Sequence, residues 1–309
     1  MNGNPHVPVL LGPVLDGLDI KRDGCYVDAT FGRGGHATAI LERLGTNGRL
    51  IAIDRDAQAI ASASASLAND SRVQLIRNDF ANLAACMGER GLTGQVDGLL
   101  LDLGVSSPQL DQADRGFSFL RDGPLDMRMD TQQRLDAAGW LASVDEKTLK
   151  RVLYEYGEEQ AAPRIARAIV SARAIAAIES TGRLAGIVES VVPAHARKKH
   201  PATKTFQAIR IFINDELQQL EAVLQQSITV LRHGGRLCVI SFHSLEDRIV
   251  KRFMRAASRE SEQYRGMPIV PAEFQPRLRL VGKDIVASSA EIALNPRARS
   301  ARLRVAERI

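Results

Sequence analysis

Along the first third of the chain, short apolar runs that end in a polar residue alternate with stretches whose apolar positions recur at helical spacing. The runs are Cys25–Thr30, Arg49–Asp54, Val73–Asn78 and Val96–Leu103, and the segments near 35–44, 57–68 and 80–90 separate them. Runs of this length and continuous apolar character predict strands buried on both faces, and strands alternating with helices predict a parallel, doubly wound sheet. From about Gln112 to His200 the alternation stops, leaving helical stretches such as Thr148–Glu155 and Ala161–Ile178 broken by Gly and Pro. It resumes with a long amphipathic helix predicted from Phe206 to Leu231. Then come Gly234-Gly235, a fifth strand at Arg236–Ser241, a helix at about 245–257, and strand-like runs near Arg277–Leu280 and Arg302–Ala306. The pattern predicts an α/β sheet domain formed by residues 1–112 and 206–309, interrupted by an all-helical insertion over 113–205.

The loop Asp28-Ala-Thr-Phe-Gly-Arg-Gly-Gly-His36 joins the first strand to the first helix of this pattern. Glycines allow close backbone approach to a ligand, and a helix N-terminus adds unpaired N–H groups and a positive dipole end. Gly32-Arg-Gly34-Gly-His-Ala37 satisfies a dinucleotide fingerprint, so a nicotinamide cofactor and S-adenosylmethionine are both open at this point. Asp54, ending the second run, suits a pair of ribose hydroxyls in either ligand. Asp28 precedes the glycines, where it would attract an ammonium group and repel a pyrophosphate. Asn78-Asp79-Phe80 ends the third run and suits the edge and face of an adenine. The plainer role for Asp28, Asp54 and Asp79 is helix capping.

The fourth run leads into Leu101-Asp102-Leu-Gly-Val-Ser-Ser-Pro-Gln109. Ligands in open parallel sheets bind at the carboxyl ends of strands near the reversal of strand order, which is where this loop is expected. An amine whose lone pair is delocalised into a ring needs acceptors that hold its N–H bonds and turn the pair towards a methyl donor. Asp102, or a carbonyl of Ser106 or Ser107, could do so; a Ser-Pro turn with Asp102 as an ordinary cap is the alternative.

Composition narrows the classes. The 309 residues carry 41 basic and 36 acidic side chains, a net +5. No apolar run approaches the ~18 residues of a membrane span, and Met1-Asn-Gly-Asn-Pro-His lacks the features of an export signal, so the cytoplasm is expected. Three widely separated cysteines, Cys25, Cys86 and Cys238, suggest buried thiols in a reducing compartment. The histidines form no metal-ligand spacing, so no metal is expected. Dense basic clusters, His195-Ala-Arg-Lys-Lys-His200 with Lys204 and Arg210, and Arg297-Ala-Arg-Ser-Ala-Arg-Leu-Arg304, could neutralise phosphates or form solvated surface. Arg128, between Met127 and Met129, is either a gate near a target base or a partner for Asp126 or Asp130.

These strings, with His6-Val-Pro-Val-Leu, Ala52-Ile-Asp-Arg-Asp56, Arg115-Gly-Phe-Ser-Phe119, Gly123-Pro-Leu-Asp-Met-Arg-Met129, Thr205-Phe-Gln-Ala-Ile-Arg210, Ile240-Ser-Phe-His-Ser-Leu-Glu-Asp-Arg248 and Asn295-Pro-Arg-Ala-Arg-Ser300, run nearly end to end. Together they resemble the bacterial small-subunit ribosomal RNA (cytosine-N4) methyltransferases of the RsmH (MraW) type. The resemblance implies a Rossmann-like S-adenosylmethionine-dependent methyltransferase sheet with an inserted all-helical domain. Its implied substrate is one cytidine in the decoding region of 16S ribosomal RNA, in the small subunit or its precursor. Carried over, Gly34, Gly35, His36, Asp54, Phe80, Asp102 and Gln109 would line the cofactor, and Asp102 and Ser107 are the candidates for polarising the amine. The insertion would recognise the ribosomal substrate. Whether the chain acts alone or as a homodimer stays open.

Overall fold

Successive residues of a strand point to opposite faces, and where both faces are covered both sets must be apolar. In the computed structural model, described for residues 8–192, 200–260, 262–264, 267, 271 and 274–309, this rule organises the centre of the sheet. The chain forms two compact units, Met1–Gly104 with Leu217–Ile309, and Val105–Glu216.

The first unit opens with α1 (Leu11–Leu18), then β1 (Cys25–Asp28), α2 (Gly35–Arg43), β2 (Arg49–Asp54), α3 (Ala57–Ala61), α4 (Ala65–Ala68), β3 (Val73–Arg77), α5 (Leu83–Gly88) and β4 (Val96–Asp102). The helical unit supplies α6 (Ser107–Asp111), α7 (Ala137–Ser143), α8 (Glu146–Gly157), α9 (Ala162–Ile175), α10 (Thr181–Val191) and α11 (Thr203–Asn214). The first unit then continues through α12 (Glu216–Val230), β5 (Leu231–Ser241), α13 (Ser244–Ala257), β6 (Leu278–Leu280), β7 (Ile285–Val286), α14 (Ser289–Leu294) and β8 (Arg302–Arg308). No helix among the described residues is long and apolar enough to cross a membrane.

The strands lie in the order β3-β2-β1-β4-β5-β8-β6, with β7 also on β8. From β3 to β5 the pairings are parallel; β8 runs antiparallel to β5 and closes the sheet with β6 and β7. After β3 the chain crosses back to place β4 beside β1, so strand order reverses between those two strands. On one face Val27, Ile53, Leu99 and Val239 pack with residues of α5, α12 and α13. On the other, Tyr26, Leu50, Leu100 and Ile240 pack with α1 and α2. The expected α/β sheet with its helical insertion is present.

Three local expectations need correction. Ala57–Ala68, expected as one helix, is two short ones, because Asp56 and Ser64 each cap a separate start. The fifth strand begins at Leu231 rather than 236, since Leu231 already pairs with Val96 before an irregularity in register. The expected helix from Phe206 to Leu231 is broken at Asp215, whose φ is +51°. Its first half, α11, contributes Phe206, Ile209 and Ile213 to the core of the helical unit, together with Trp140, Leu153, Ile165 and Val188.

The break is fixed by Asn214. Its buried amide accepts the Met129 N–H at 2.7 Å and donates to the Met127 and Arg210 carbonyls at 2.7 and 2.9 Å. Arg115, buried nearby, donates to the Arg128 and Met129 carbonyls, both at 3.1 Å. The 123–129 segment is thus held from both sides, with Met127 at φ +62°. Asn214→Ala leaves an N–H and a carbonyl buried without partners and should lower the stability of the protein by about 2–4 kcal/mol in denaturant unfolding. An unchanged midpoint would show that the amide does not hold this segment.

Candidate active site

The ends of β1 and β4, which flank the reversal of strand order, are tied together by one hydroxyl. Thr30 Oγ1 accepts the Asp102 N–H at 2.6 Å, and the Ala29 N–H reaches the Leu100 carbonyl at 3.0 Å. The Thr30 N–H donates to Asp28 Oδ1 at 3.1 Å. Asp28 is fully buried at the end of its strand. Burial, reinforced by the nearby Asp54 charge, pushes its carboxyl up to about 7 despite the hydrogen bonds from Thr30.

The loop that follows turns on Gly34, at φ +73°, where an added Cβ would stand 2.7 Å from the Phe31 ring. A Cβ on Gly35 would meet Pro8 at 2.5 Å. With glycine at its cap, α2 begins without a capping side chain. Gly32 donates its N–H to Asp54 Oδ2, and Asp56 to Asp54 Oδ1, both at 2.8 Å. Two backbone bonds therefore aim the Asp54 carboxylate, which burial raises to about 6. The carboxylate that caps the helix after β2 is Asp56, on Gln58 N–H at 2.9 Å, so Asp54 does not have the capping role.

His36 is buried, with Nε2 3.0 Å from the Val9 carbonyl and Nδ1 3.5 Å from Asp102 Oδ2. A carbonyl only accepts, so Nε2 carries the proton and Nδ1 faces the carboxyl. Asp102 Oδ1 is buried and has no hydrogen-bond partner among the described residues. Burial first, then the charges of Asp28 and Glu246, push the Asp102 carboxyl well above the usual carboxylate range. Glu246 opens α13 from a capping box with His243, its Oε2 accepting the N–H groups of Phe242 and His243 at 2.8 and 3.2 Å.

Gly34, Gly35, His36, Asp54 and Asp102 are thus gathered at the ends of β1, β2 and β4. Phe80 stands at the start of a turn after β3, partly buried against the core. Its neighbours are committed elsewhere: Asp79 pairs with Arg55 at 2.9 Å, while the Asn78 amide bonds Cys86, Asn82 and the Asp79 N–H. The Asn78 oxygen is thus occupied, while its side-chain nitrogen gives one of its two N–H groups to Cys86. Ser107 and Gln109 belong to the helical unit. There Ser107 is the first residue of α6, and the buried Gln109 accepts the Ser106 N–H at 2.9 Å to complete a capping box.

Sequence reasoning singled out neither Thr30 nor Glu246 individually. The His243-x-x-Glu246 spacing of a capping box was the available signal for the second. Several expected phosphate ligands are occupied. Arg210 makes a two-pronged pair with Glu216 at 2.8 Å, and Arg304 another with Asp247 at 2.7 and 3.1 Å. Arg302 pairs with Asp284. Arg128 is the partner of Asp126, at 2.7 and 2.8 Å. Lys204 donates to the Glu158 carbonyl at 2.6 Å. Arg197, Lys198 and Lys199 lie outside the described residues.

Buried carboxyls that repel one another, one with an unpartnered oxygen, make a site suited to a ligand bearing positive charge. A pyrophosphate would be repelled, which disfavours a nicotinamide dinucleotide. S-adenosylmethionine, with an ammonium and a sulfonium, fits this donor set.

Comparison with known proteins agrees. A model of the MraW methylase family matches residues 3–309. The chain is 53% identical over 304 residues to the ribosomal RNA small subunit methyltransferase H of Coxiella burnetii (strain Dugway 5J108-111), covering 98% of this chain and 99% of that protein. It is 56% identical over 300 residues to the protein of the same name from Methylococcus capsulatus (strain ATCC 33009 / NCIMB 11132 / Bath), covering 97% and 99%.

The raised Asp28 carboxyl carries a stability consequence in the ligand-free protein. An unfolded aspartate ionises near its ordinary 3.8, whereas the folded one ionises at about 7, so folding takes up a proton in between and stability falls as pH rises through that window. Asp28→Asn removes the buried charge while keeping an oxygen for Thr30. It should raise stability by about 2–4 kcal/mol at about pH 8, with the gain fading by about pH 4. Unfolding curves showing a pH-independent difference would contradict this assignment.

Proposed function

The chain belongs to the MraW methylase family, and from that premise we propose that it transfers the methyl group of S-adenosylmethionine to N4 of a specific cytidine in the decoding region of 16S ribosomal RNA. It acts in the cytoplasm on the small ribosomal subunit or its precursor, with the helical unit recognising that substrate. The observation that carries the chemistry is Asp102: a carboxyl at the reversal of strand order, one oxygen facing His36 and the other buried and unpartnered.

Bound S-adenosylmethionine supplies an electrophilic methyl group on a sulfonium, open to in-line attack by an amine. Asp54 would hold the ribose hydroxyls, Asp28 the ammonium, and the Gly34–Gly35 turn with the start of α2 the carboxylate. Phe80 would cover the adenine. Gln109 keeps the cofactor-lining role that the family resemblance implies, and Ser107 stays the second candidate, beside Asp102, for polarising the amine.

Asp102 Oδ1 would accept an N–H of the cytosine amine, turning its lone pair out of conjugation with the ring. Ionised once the cationic cofactor is bound, the same carboxylate would then take the proton that the methylated nitrogen sheds. His36, fixed by its Nε2–H on the Val9 carbonyl, stands with Nδ1 3.5 Å from Oδ2, which leaves Oδ1 as the oxygen available to the amine. Correct placement of two reactants can supply roughly 7–11 kcal/mol of barrier lowering, so positioning is the main contribution asked of these residues. Attack by nitrogen also suits the thiols. Burial raises Cys25 to about 11 and raises Cys86 and Cys238 as well, so none is poised as the thiolate that methylation at ring carbon C5 would need.

The direct test is mass mapping of methylated nucleotides in small-subunit RNA from cells with and without this protein; loss of one N4-methylcytidine in the decoding region is expected, and an unchanged map would remove the proposal. Two substitutions separate the roles. Asp54→Ala should weaken S-adenosylmethionine binding roughly ten- to a hundredfold, about 1.5–3 kcal/mol, in calorimetry. Asp102→Asn should slow single-turnover methyl transfer by more than it lowers cofactor affinity; equal losses would make Asp102 a cofactor ligand only.

A further inference from the structure

Arg248, Lys251, Arg252, Arg255 and Arg259 run from the second turn of α13 to just beyond its end. Their spacing of three and four residues puts them on one side of the helix. The other side, with Leu245, Val250, Met254 and Ala257, is buried against the sheet unit. All four arginines are exposed. At 1.5 Å per residue the row extends for about 16 Å, away from the β5 end where α13 begins.

Four of these five residues, Lys251, Arg252, Arg255 and Arg259, have no counter-charge within the protein among the described residues. Arg128, Arg210, Arg302 and Arg304 are neutralised by carboxylates within the protein. Nearby carboxylates are Asp247, which pairs with Arg302 and Arg304, the buried Glu246, and the exposed Glu260 beside Arg259. Beside the row lies a cleft of about 1080 Å³ between α12 and α13. Arg252, Arg259 and Arg277 line it with Phe253 and Phe274, and Glu221 is its one carboxylate among the described lining residues.

We propose that this arginine row and the adjoining cleft hold the phosphate backbone of the RNA substrate on the sheet unit. The inference rests on the reading of the chain as a ribosomal RNA methyltransferase. A polyanion supplies the missing counter-charges, and arginine matches phosphate geometry with two parallel N–H donors. Phe253 and Phe274 are partly exposed, Phe274 with its ring packed 4.5 Å from that of Tyr264, and they give the cleft apolar surface beside its arginines. A lipid surface does not fit, because the apolar face of α13 is already buried in the protein.

The test is a salt titration of binding to a transcript of the 16S decoding region, comparing the protein with its Arg252→Gln/Arg255→Gln/Arg259→Gln variant. Each lost phosphate contact should reduce the slope of log K against log salt by about 0.7 on single strands and 0.9 on duplex, so a decrease of about 2–3 is expected. Affinity at low salt should fall at least about tenfold. S-adenosylmethionine affinity should be unchanged, which also reports that the variant is folded, and the triple Arg→Lys variant should restore most of the slope. An unchanged slope overturns the proposal. So does weakened binding to protein-containing small-subunit particles with unchanged binding to the bare transcript, which would assign the row to an acidic protein. Methyl transfer to the small-subunit particles is followed separately: its absence in the parent protein would remove the reading of the reaction, whereas the salt slope alone decides the row.

Discussion

Like charges confined in a low-dielectric place set the terms for the rest of this structure. Asp28, Asp54, Asp102 and Glu246 stand at strand ends and a helix start around the reversal of strand order, and burial together with mutual repulsion disfavours ionisation of the three aspartates. Such a cluster costs folding free energy in the empty protein. It lowers the free energy of a ligand that brings positive charge, because the ligand then removes both the repulsion and part of the desolvation penalty. The fold tolerates the cost because backbone donors hold most of these groups. Gly32 and Asp56 grip Asp54, Thr30 grips Asp28, and the N–H groups of Phe242 and His243, just before α13, grip Glu246.

Asp102 departs from that pattern. Its backbone N–H is anchored by Thr30 and one carboxyl oxygen faces His36, yet its other oxygen has no partner among the described residues. An unmade hydrogen bond on a buried acceptor is costly, and this is why Asp102 is proposed as the place where substrate completes the site. The parallel sheet makes this arrangement available. Strands ending side by side bring together residues as far apart in the chain as 28, 54 and 102, and the change of direction after β3 favours a crevice beyond the carboxyl ends of β1 and β4 that a ligand can enter.

Much of this was legible in the amino-acid sequence, for identifiable reasons. The apolar runs were short and continuous, so β2 was bounded as observed and β1, β3 and β4 to within two residues; their terminal carboxylates followed directly. Relationships that depend on which distant segments become neighbours were not legible. Nothing local shows that Thr30 would tie β1 to β4, or that Arg304 would meet Asp247, 57 positions away. The basic clusters looked like phosphate ligands for that reason, although Arg210 and Arg304 are internally neutralised. The break between α11 and α12 was hidden because apolar periodicity runs through it, whereas its cause is tertiary, the grip of Asn214 on the 127–129 backbone. The segments Arg115–Phe119 and Gly123–Met129, which carried the family resemblance, prove to include part of that internal frame.

If the buried carboxyls are there to receive a cationic ligand, binding must ionise groups that are partly protonated in the empty site. Calorimetric titration of S-adenosylmethionine in buffers of differing ionisation enthalpy, at a pH just below the Asp28 value of about 7, measures the protons exchanged on binding. The account predicts net release of protons, diminishing in Asp28→Asn. Binding with no proton exchange, or with net uptake, would contradict it.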